Sequence, residues 1–144
     1  MSFTYQHPRP ALTVDALVFR QNGPTTEILL IQRKNPPFKG KWALPGGFVD
    51  MDETLEQAIA RELEEETGIT NLDLKQFHAF SQPGRDPRGH TISVVFSGIL
   101  EDEQEAKAGD DAENAAWFET GQLPALAFDH TLVVERALQQ QTKH

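Results

Sequence analysis

Three glutamates, Glu62, Glu65 and Glu66, crowd a short segment in which Leu55, Ala58, Ile59 and Leu63 already mark one apolar stripe. Apolar residues at i, i+3, i+4 and i+8 predict a helix buried along one face. At roughly 100° per residue, Glu62 and Glu66 fall inside that stripe, Glu65 at its edge, and Glu56 and Glu64 outside it. Carboxylates are seldom buried without a partner, so Glu56 and Glu64 read as a solvated face whereas the other three require compensation. Like charges one turn apart repel and are driven toward protonation unless a cation neutralises them. Oxygen donors without His or Cys suit a hard divalent ion, Mg²⁺ or Mn²⁺, better than zinc.

The segment carries its own boundaries. Thr54 followed by Gln57 forms a capping-box pattern, and Gly68 stands where a helix ends in a left-handed residue, so the helix is predicted over Leu55–Thr67. Ahead of it, Pro45-Gly46-Gly47 predicts a strand-to-loop turn. Its glycines permit positive φ and close approach of a ligand, which makes Gly46 and Gly47 candidate phosphate contacts.

The pattern Gly47-x5-Glu53-x7-Arg61-Glu62-Leu63-x-Glu65-Glu66-x-Gly68-Ile69 matches all nine defined positions of the Nudix box, and here the chain resembles the Nudix hydrolases. The resemblance implies an α/β/α sandwich with a mixed β-sheet, the box forming loop, helix and loop. It also implies hydrolysis of a nucleoside diphosphate linked to another moiety. By the same resemblance, Glu62, Glu65 and Glu66, with Gly47, are the expected metal ligands, and Arg61 and Glu53 complete the catalytic set. Arg61 and Glu53 correspond to a pair that holds the loop against the helix; spacing alone reads them as a salt bridge.

A chain of 144 residues is large enough for one core, and a single domain is expected over residues 1–144. It has no cysteine, so disulfide frameworks and thiolate chemistry are excluded. The start, Met1-Ser2-Phe3-Thr4-Tyr5, lacks the charged and apolar regions of a signal peptide, and no apolar stretch is of membrane-spanning length. A cytoplasmic protein without a membrane partner is the expectation. The net charge of −9 argues against nucleic acid, whose backbone is held mainly by Lys and Arg. A small-molecule nucleotide accompanied by metal is the expected partner, and a homodimer stays open.

Strands are predicted over Leu12–Arg20 and Glu27–Arg33, joined as a hairpin by Asn22-Gly23-Pro24. Trp42–Leu44 leads into the box, further strands are predicted over Leu72–Ser81 and Thr91–Leu100 with a short one over Ala115–Phe118, and a final helix over Asp129–Gln141. The acidic stretch Glu101–Asp111 predicts a mobile loop.

Four segments outside the box resemble the ADP-ribose pyrophosphatase branch of the Nudix hydrolases: Arg9 to Asp15, Phe38 to Pro45, Gly84 to Gly89, and Ala127 to His130. In the third, Arg85 and Arg88 suit bidentate contact with phosphate or ribose oxygens, and Arg33 closes the second strand with the same capacity. An adenine ring needs a flat partner, for which Trp42, Tyr5, Phe38 and Phe128 are the aromatics at hand. The histidines read as structural. A general base is sought at Glu62, or at Asp111 or Glu113 on the loop before Trp117. The resemblance implies cleavage of ADP-ribose to AMP and ribose 5-phosphate. It also allows a different Nudix substrate (a nucleoside triphosphate, NADH or a nucleotide sugar) or a non-catalytic ADP-ribose sensor.

Overall fold

The computed structural model describes residues 4–109 and 112–141. Its elements are β1 (Ala11–Asn22), β2 (Thr25–Arg33), β3 (Trp42–Ala43), β4 (Gly46–Phe48), α1 (Leu55–Thr67), β5 (Lys75–Phe80), β6 (Thr91–Ile99), β7 (Ala112–Glu119) and α2 (His130–Gln141). One mixed sheet runs β3-β2-β1-β6-β5, with β4 added to β1 and β7 to β2; β1 and β6 are parallel and the other pairs antiparallel.

Alternation along the central strands sends side chains to opposite faces. Val14, Ala16 and Val18 of β1 pack with Leu29 and Phe96 against Ala58, Ile59 and Leu63 of α1. Leu17 and Phe19 pack with Ile28, Leu30 and Val95 against Val133, Val134 and Ala137 of α2. This is the α/β/α sandwich that the box implies, with one helix on each face.

The site is opened by a split in the sheet. β1 pairs with β2 only over Phe19–Asn22, whereas its earlier residues Thr13–Asp15 pair with β4. β2 meanwhile continues to Arg33 along β3 and β7. Between the start of β1 and the end of β2 the layer parts, and a cavity occupies the gap.

The predicted helix α1 ends where expected. Thr54 Oγ1 accepts from Gln57 N at 3.0 Å, Gln57 Oε1 accepts from Thr54 N at 2.9 Å, and Gly68 adopts φ 76°. Other expectations are corrected. Pro45-Gly46-Gly47 is not simply a loop: Gly46 and Gly47 belong to β4, and neither has positive φ. These glycines serve space rather than backbone freedom. The strand expected from Leu72 begins at Lys75, because Leu72 and Leu74 turn into the α1-side core. β7 runs over eight residues, longer than its alternation suggests, because its antiparallel partner β2 continues the ladder.

The stretch expected as a mobile loop is anchored as far as Gly109. Lys107 N donates to Thr67 O at 2.8 Å, Gly109 N donates to Glu66 O at 3.1 Å, and the Gln104 carboxamide bonds both Thr70 N and Thr70 O. The last two carbonyls of α1, Glu66 and Thr67, which have no partner within the helix, are thereby satisfied. Sequence charge could not reveal that pairing.

Candidate functional site

The cavity between β1 and β2 has a volume of about 400 Å³ and carries charges of both signs on its wall. Glu62 and Glu66 of α1 face it beside Gly46 and Gly47; Arg33 and Arg88 stand among its cations. The helix periodicity placed these two glutamates on the buried stripe, and Glu66 is 6% exposed while the Glu62 side chain is 12% exposed. Glu66 Oε1 accepts from Gly46 N at 2.7 Å. This bond ties the helix to β4.

Arg61 organises the rest of the box. Its Nε donates to Glu53 Oε2 at 2.6 Å and one terminal nitrogen to Glu53 Oε1 at 2.9 Å, a forked ion pair. The same nitrogen reaches Phe48 O at 3.1 Å, fastening the end of β4, while the other donates to Glu62 Oε1 at 2.8 Å and Glu65 Oε2 at 3.3 Å. Hydrogen bonding to Glu53 raises the Arg61 pKa above its already high ordinary value. One guanidinium thus hydrogen-bonds three carboxylates, and a fourth, Asp50, stands 3.5 Å away.

Hydrogen bonding from Arg61, with help from the Asp50 backbone, lowers the Glu53 pKa to about 2. A depressed carboxylate pKa stabilises the fold above the unfolded value, near 4.5, and that contribution disappears as pH falls toward the folded one. The Glu53 carboxyl carbon, followed by NMR, is expected to titrate with a midpoint near 2; an ordinary midpoint would show the fork to be loose in solution.

Among the described residues, no three His, Asp or Glu side chains converge into a closed metal cage. The donor chemistry nevertheless fits a hard divalent cation: carboxylate oxygens, no thiolate, and Glu62 facing the cavity where Gly47 leaves room. A Cβ on Gly47 would lie 2.6 Å from the Glu62 carboxyl carbon and from both its oxygens. Glu65 stands apart from the cavity lining, with its side chain 54% exposed.

The structure separates the predicted substrate contacts. Arg33 lines the cavity, its Nε donating to Pro37 O at 2.7 Å and its guanidinium 5.0 Å from the Phe128 ring centre; burial lowers its pKa. Arg88 also lines it: its Nε and one terminal nitrogen fork onto Asp86 at 3.1 and 2.8 Å, but unlike Arg85 its side chain is 40% exposed, 4.9 Å from Phe48 and 5.4 Å from Phe128, within cation–π range. The Asp86 carboxylate stays below its usual range: burial opposes this, but the Arg88 side-chain and backbone hydrogen bonds outweigh it.

Arg85 requires a correction. It borders the cavity, yet its side chain is 5% exposed and its fork is taken up by Asp129, at 2.9 and 2.7 Å. It braces the 84–89 loop against the residue preceding α2, so its bidentate face is not open to a phosphate. Trp42 also falls away from the cavity: its ring meets Phe118 edge-on at 4.8 Å in the α2-side core. The apolar character of β3 explains this placement. Glu113 is exposed on β7 and does not border the cavity, while Asp111 lies outside the described residues.

Two of the aromatics named as candidate base partners meet at the cavity. Phe128 lines it and packs against Phe38, with ring centres 4.9 Å apart, and both hold positive φ, 54° and 61°, which bulky residues rarely adopt. Asp15 and His130 line the deep wall. Ser93 Oγ donates to Asp15 Oδ2, while Leu44 N donates to His130 Nδ1 at 3.0 Å. The structural hydrogen bond expected of His130 is present. Asp15 had a signal in retrospect, as the one charged residue in Ala11–Phe19.

Residues 9–139 match the family model described as NUDIX domain. The chain is 49% identical over 132 residues to the ADP-ribose pyrophosphatase of Methanocaldococcus jannaschii, covering 91% of this chain and 73% of that enzyme. It is 36% identical over 135 residues to the ADPR responsive transcriptional repressor NtrR of Acinetobacter baylyi, covering 91% of this chain but 54% of the repressor. Among solved structures, the NUDIX domain of Shewanella oneidensis NrtR, crystallised with ADP ribose, superposes with a TM-score of 0.86 at 33% identity. That match covers 94% of this chain and 90% of that one.

Proposed function

The chain belongs to the Nudix family of pyrophosphohydrolases, and from that premise we propose that its substrate is ADP-ribose, cleaved at the pyrophosphate to AMP and ribose 5-phosphate. The observation that carries this reading is the cavity itself, whose lining gathers two box glutamates together with Arg33 and Arg88. A diphosphate needs such a division of labour: cations of the protein for its outer oxygens, and carboxylates that would hold a charge-neutralising dication. The Methanocaldococcus enzyme and the ADP-ribose-bound Shewanella domain support the choice of diphosphate ester.

In this reading Glu62, Glu65 and Glu66, with the Gly47 backbone, would hold Mg²⁺ or Mn²⁺. A bound dication supplies charge neutralisation at the phosphoryl oxygens and an acidified water. Arg61 positions Glu62 and Glu65 through its hydrogen bonds, and Glu53 fixes Arg61. Glu66 additionally fixes β4 against α1 through Gly46. Arg33 and Arg88 orient the diphosphate, while Phe48 and Phe128 offer flat surfaces to a base. Water attacks phosphorus as the bridging P–O bond breaks. Glu62, the candidate base that borders the cavity, receives the proton. A single domain over residues 1–144 carries the whole arrangement, and its partner is a small nucleotide rather than DNA or RNA.

The repressor relative favours one second reading, in which the same pocket binds ADP-ribose without cleaving it. Chromatography of a reaction with ADP-ribose and Mg²⁺ separates the two. AMP is expected; stoichiometric binding by calorimetry without AMP would establish a sensor. Parallel reactions with a nucleoside triphosphate, NADH and a nucleotide sugar test the remaining Nudix substrates, and faster turnover of any of them would replace ADP-ribose in this role.

A further inference from the structure

We propose that Asp15 and His130 form a donor–acceptor pair on the deep wall of the cavity that binds one ribose hydroxyl of the substrate. This assignment rests on the ADP-ribose reading and adds the group by which the sugar is recognised. Asp15 sits on β1 at the split in the sheet, opposite Gly46 in the β1–β4 register, and its side chain is 11% exposed. Ser93, fully buried on the neighbouring β6, donates to Asp15 Oδ2 and so orients the carboxylate with Oδ1 toward His130.

His130 supplies the complementary group. Its Nδ1 accepts from Leu44 N at 3.0 Å, which leaves the ring proton of the neutral imidazole on Nε2. Burial lowers the His130 pKa, and that desolvation outweighs the attraction of Asp15 and Asp129, so the neutral ring is the relevant form. Its Nε2 lies 3.8 Å from Asp15 Oδ1, too long for a hydrogen bond. Both residues border the cavity.

A hydroxyl is the small group that satisfies both atoms at once. Its O–H donates to Asp15 Oδ1 and its oxygen accepts from His130 Nε2–H, each at an ordinary hydrogen-bond length of about 2.8 Å, which a 3.8 Å separation accommodates. A phosphate ester at that position would set anionic oxygens against the Asp15 carboxylate. A deoxy sugar would leave both protein groups unmatched, the situation in which a site rejects an analogue most strongly. The pair therefore selects an unmodified pentose and excludes its deoxy and phosphorylated forms.

The test compares ADP-ribose with a panel of deoxy analogues, each lacking one hydroxyl of the adenosine ribose or of the terminal ribose. The wild-type protein is expected to lose about tenfold to a hundredfold in kcat/KM on one of them, chiefly through KM. Which analogue suffers identifies the sugar. In Asp15→Asn, Ser93 still donates to the amide oxygen and the amide nitrogen faces the cavity, so the difference between analogue and parent should shrink to about threefold or less. Thermal unfolding verifies that this variant is folded, and the wild-type comparison decides the matter alone if it is not. Equal turnover of ADP-ribose and every deoxy analogue by wild type, or an undiminished preference in folded Asp15→Asn, overturns the pair. Failure of wild type to cleave ADP-ribose at all is a different result, which removes the substrate reading and the pair together.

Discussion

Glu66→Gln is expected to lower kcat on ADP-ribose by about a hundredfold to a thousandfold, the effect of losing several kcal/mol of charge stabilisation at a metal-assisted step. The same variant should unfold within about 1 kcal/mol of wild type. The separation follows from two jobs done by one side chain. Glu66 Oε1 accepts from Gly46 N at 2.7 Å, and a glutamine oxygen does the same. What glutamine lacks is the negative charge that a dication requires. Glu66→Ala removes both, leaving the Gly46 N–H without its partner at a cost of about 1–3 kcal/mol. Steady-state rates and urea unfolding on the two variants resolve the roles. Near-normal turnover by Glu66→Gln would remove this carboxylate from the metal set.

Gly46→Ala and Gly47→Ala, neighbours in β4, are expected to fail in opposite ways. A Cβ on Gly46 would overlap the Val14 carbonyl oxygen and Asp15 Oδ1 and lie 2.9 Å from Asp15 Cα. Backbone in a paired strand has nowhere to move, so β4 must detach from β1, at a cost of about 3 kcal/mol or more. For a domain of this size that is a fall in Tm of roughly 10 °C.

A Cβ on Gly47 meets only the end of the Glu62 side chain, at 2.6 Å. Glu62 can swing aside, which keeps the fold but takes its carboxylate from the cavity and strains its bond to Arg61. Gly47→Ala should therefore keep most of its stability and lose about tenfold or more in kcat, the share of one displaced charged group. If Gly47→Ala proves the less stable of the two, or Gly46→Ala melts like wild type, the packing assigned to this corner is wrong.

Both predictions concern residues that sequence reading singled out, but only one for the right physical reason. The glutamates were legible because helical periodicity is local: Leu55, Ala58, Ile59 and Leu63 define a stripe, and the burial of Glu66 follows from its angular position. The capping pair and Gly68 are equally local, and α1 begins and ends where they place it. The glycines were noticed as a turn signal, whereas their use is clearance, of Asp15 and Val14 in one case and of Glu62 in the other. No feature of the Pro-Gly-Gly run specifies what will stand opposite it.

The same limit separates the arginines. Arg85 and Arg88 are three residues apart in one loop and read alike, yet Arg85 is locked to Asp129 while Arg88 rests between Phe48 and Phe128. Asp129 lies 44 residues downstream of Arg85, and the rings that flank Arg88 come from β4 and from the turn before α2, although its ion pair with Asp86 is local.

By itself, then, the sequence determined the family, the acidic helix and its two ends, because each is written in spacings shorter than a few turns of chain. Tertiary structure alone decided that β1 leaves β2 to pair with β4, which opens the cavity and brings Asp15, His130 and Ser93 together across up to 115 residues. The physical reason is that a hydrogen bond, an overlap or a charge pair depends on distance in space, and the spacing of residues along the chain fixes that distance only within a single helix or turn.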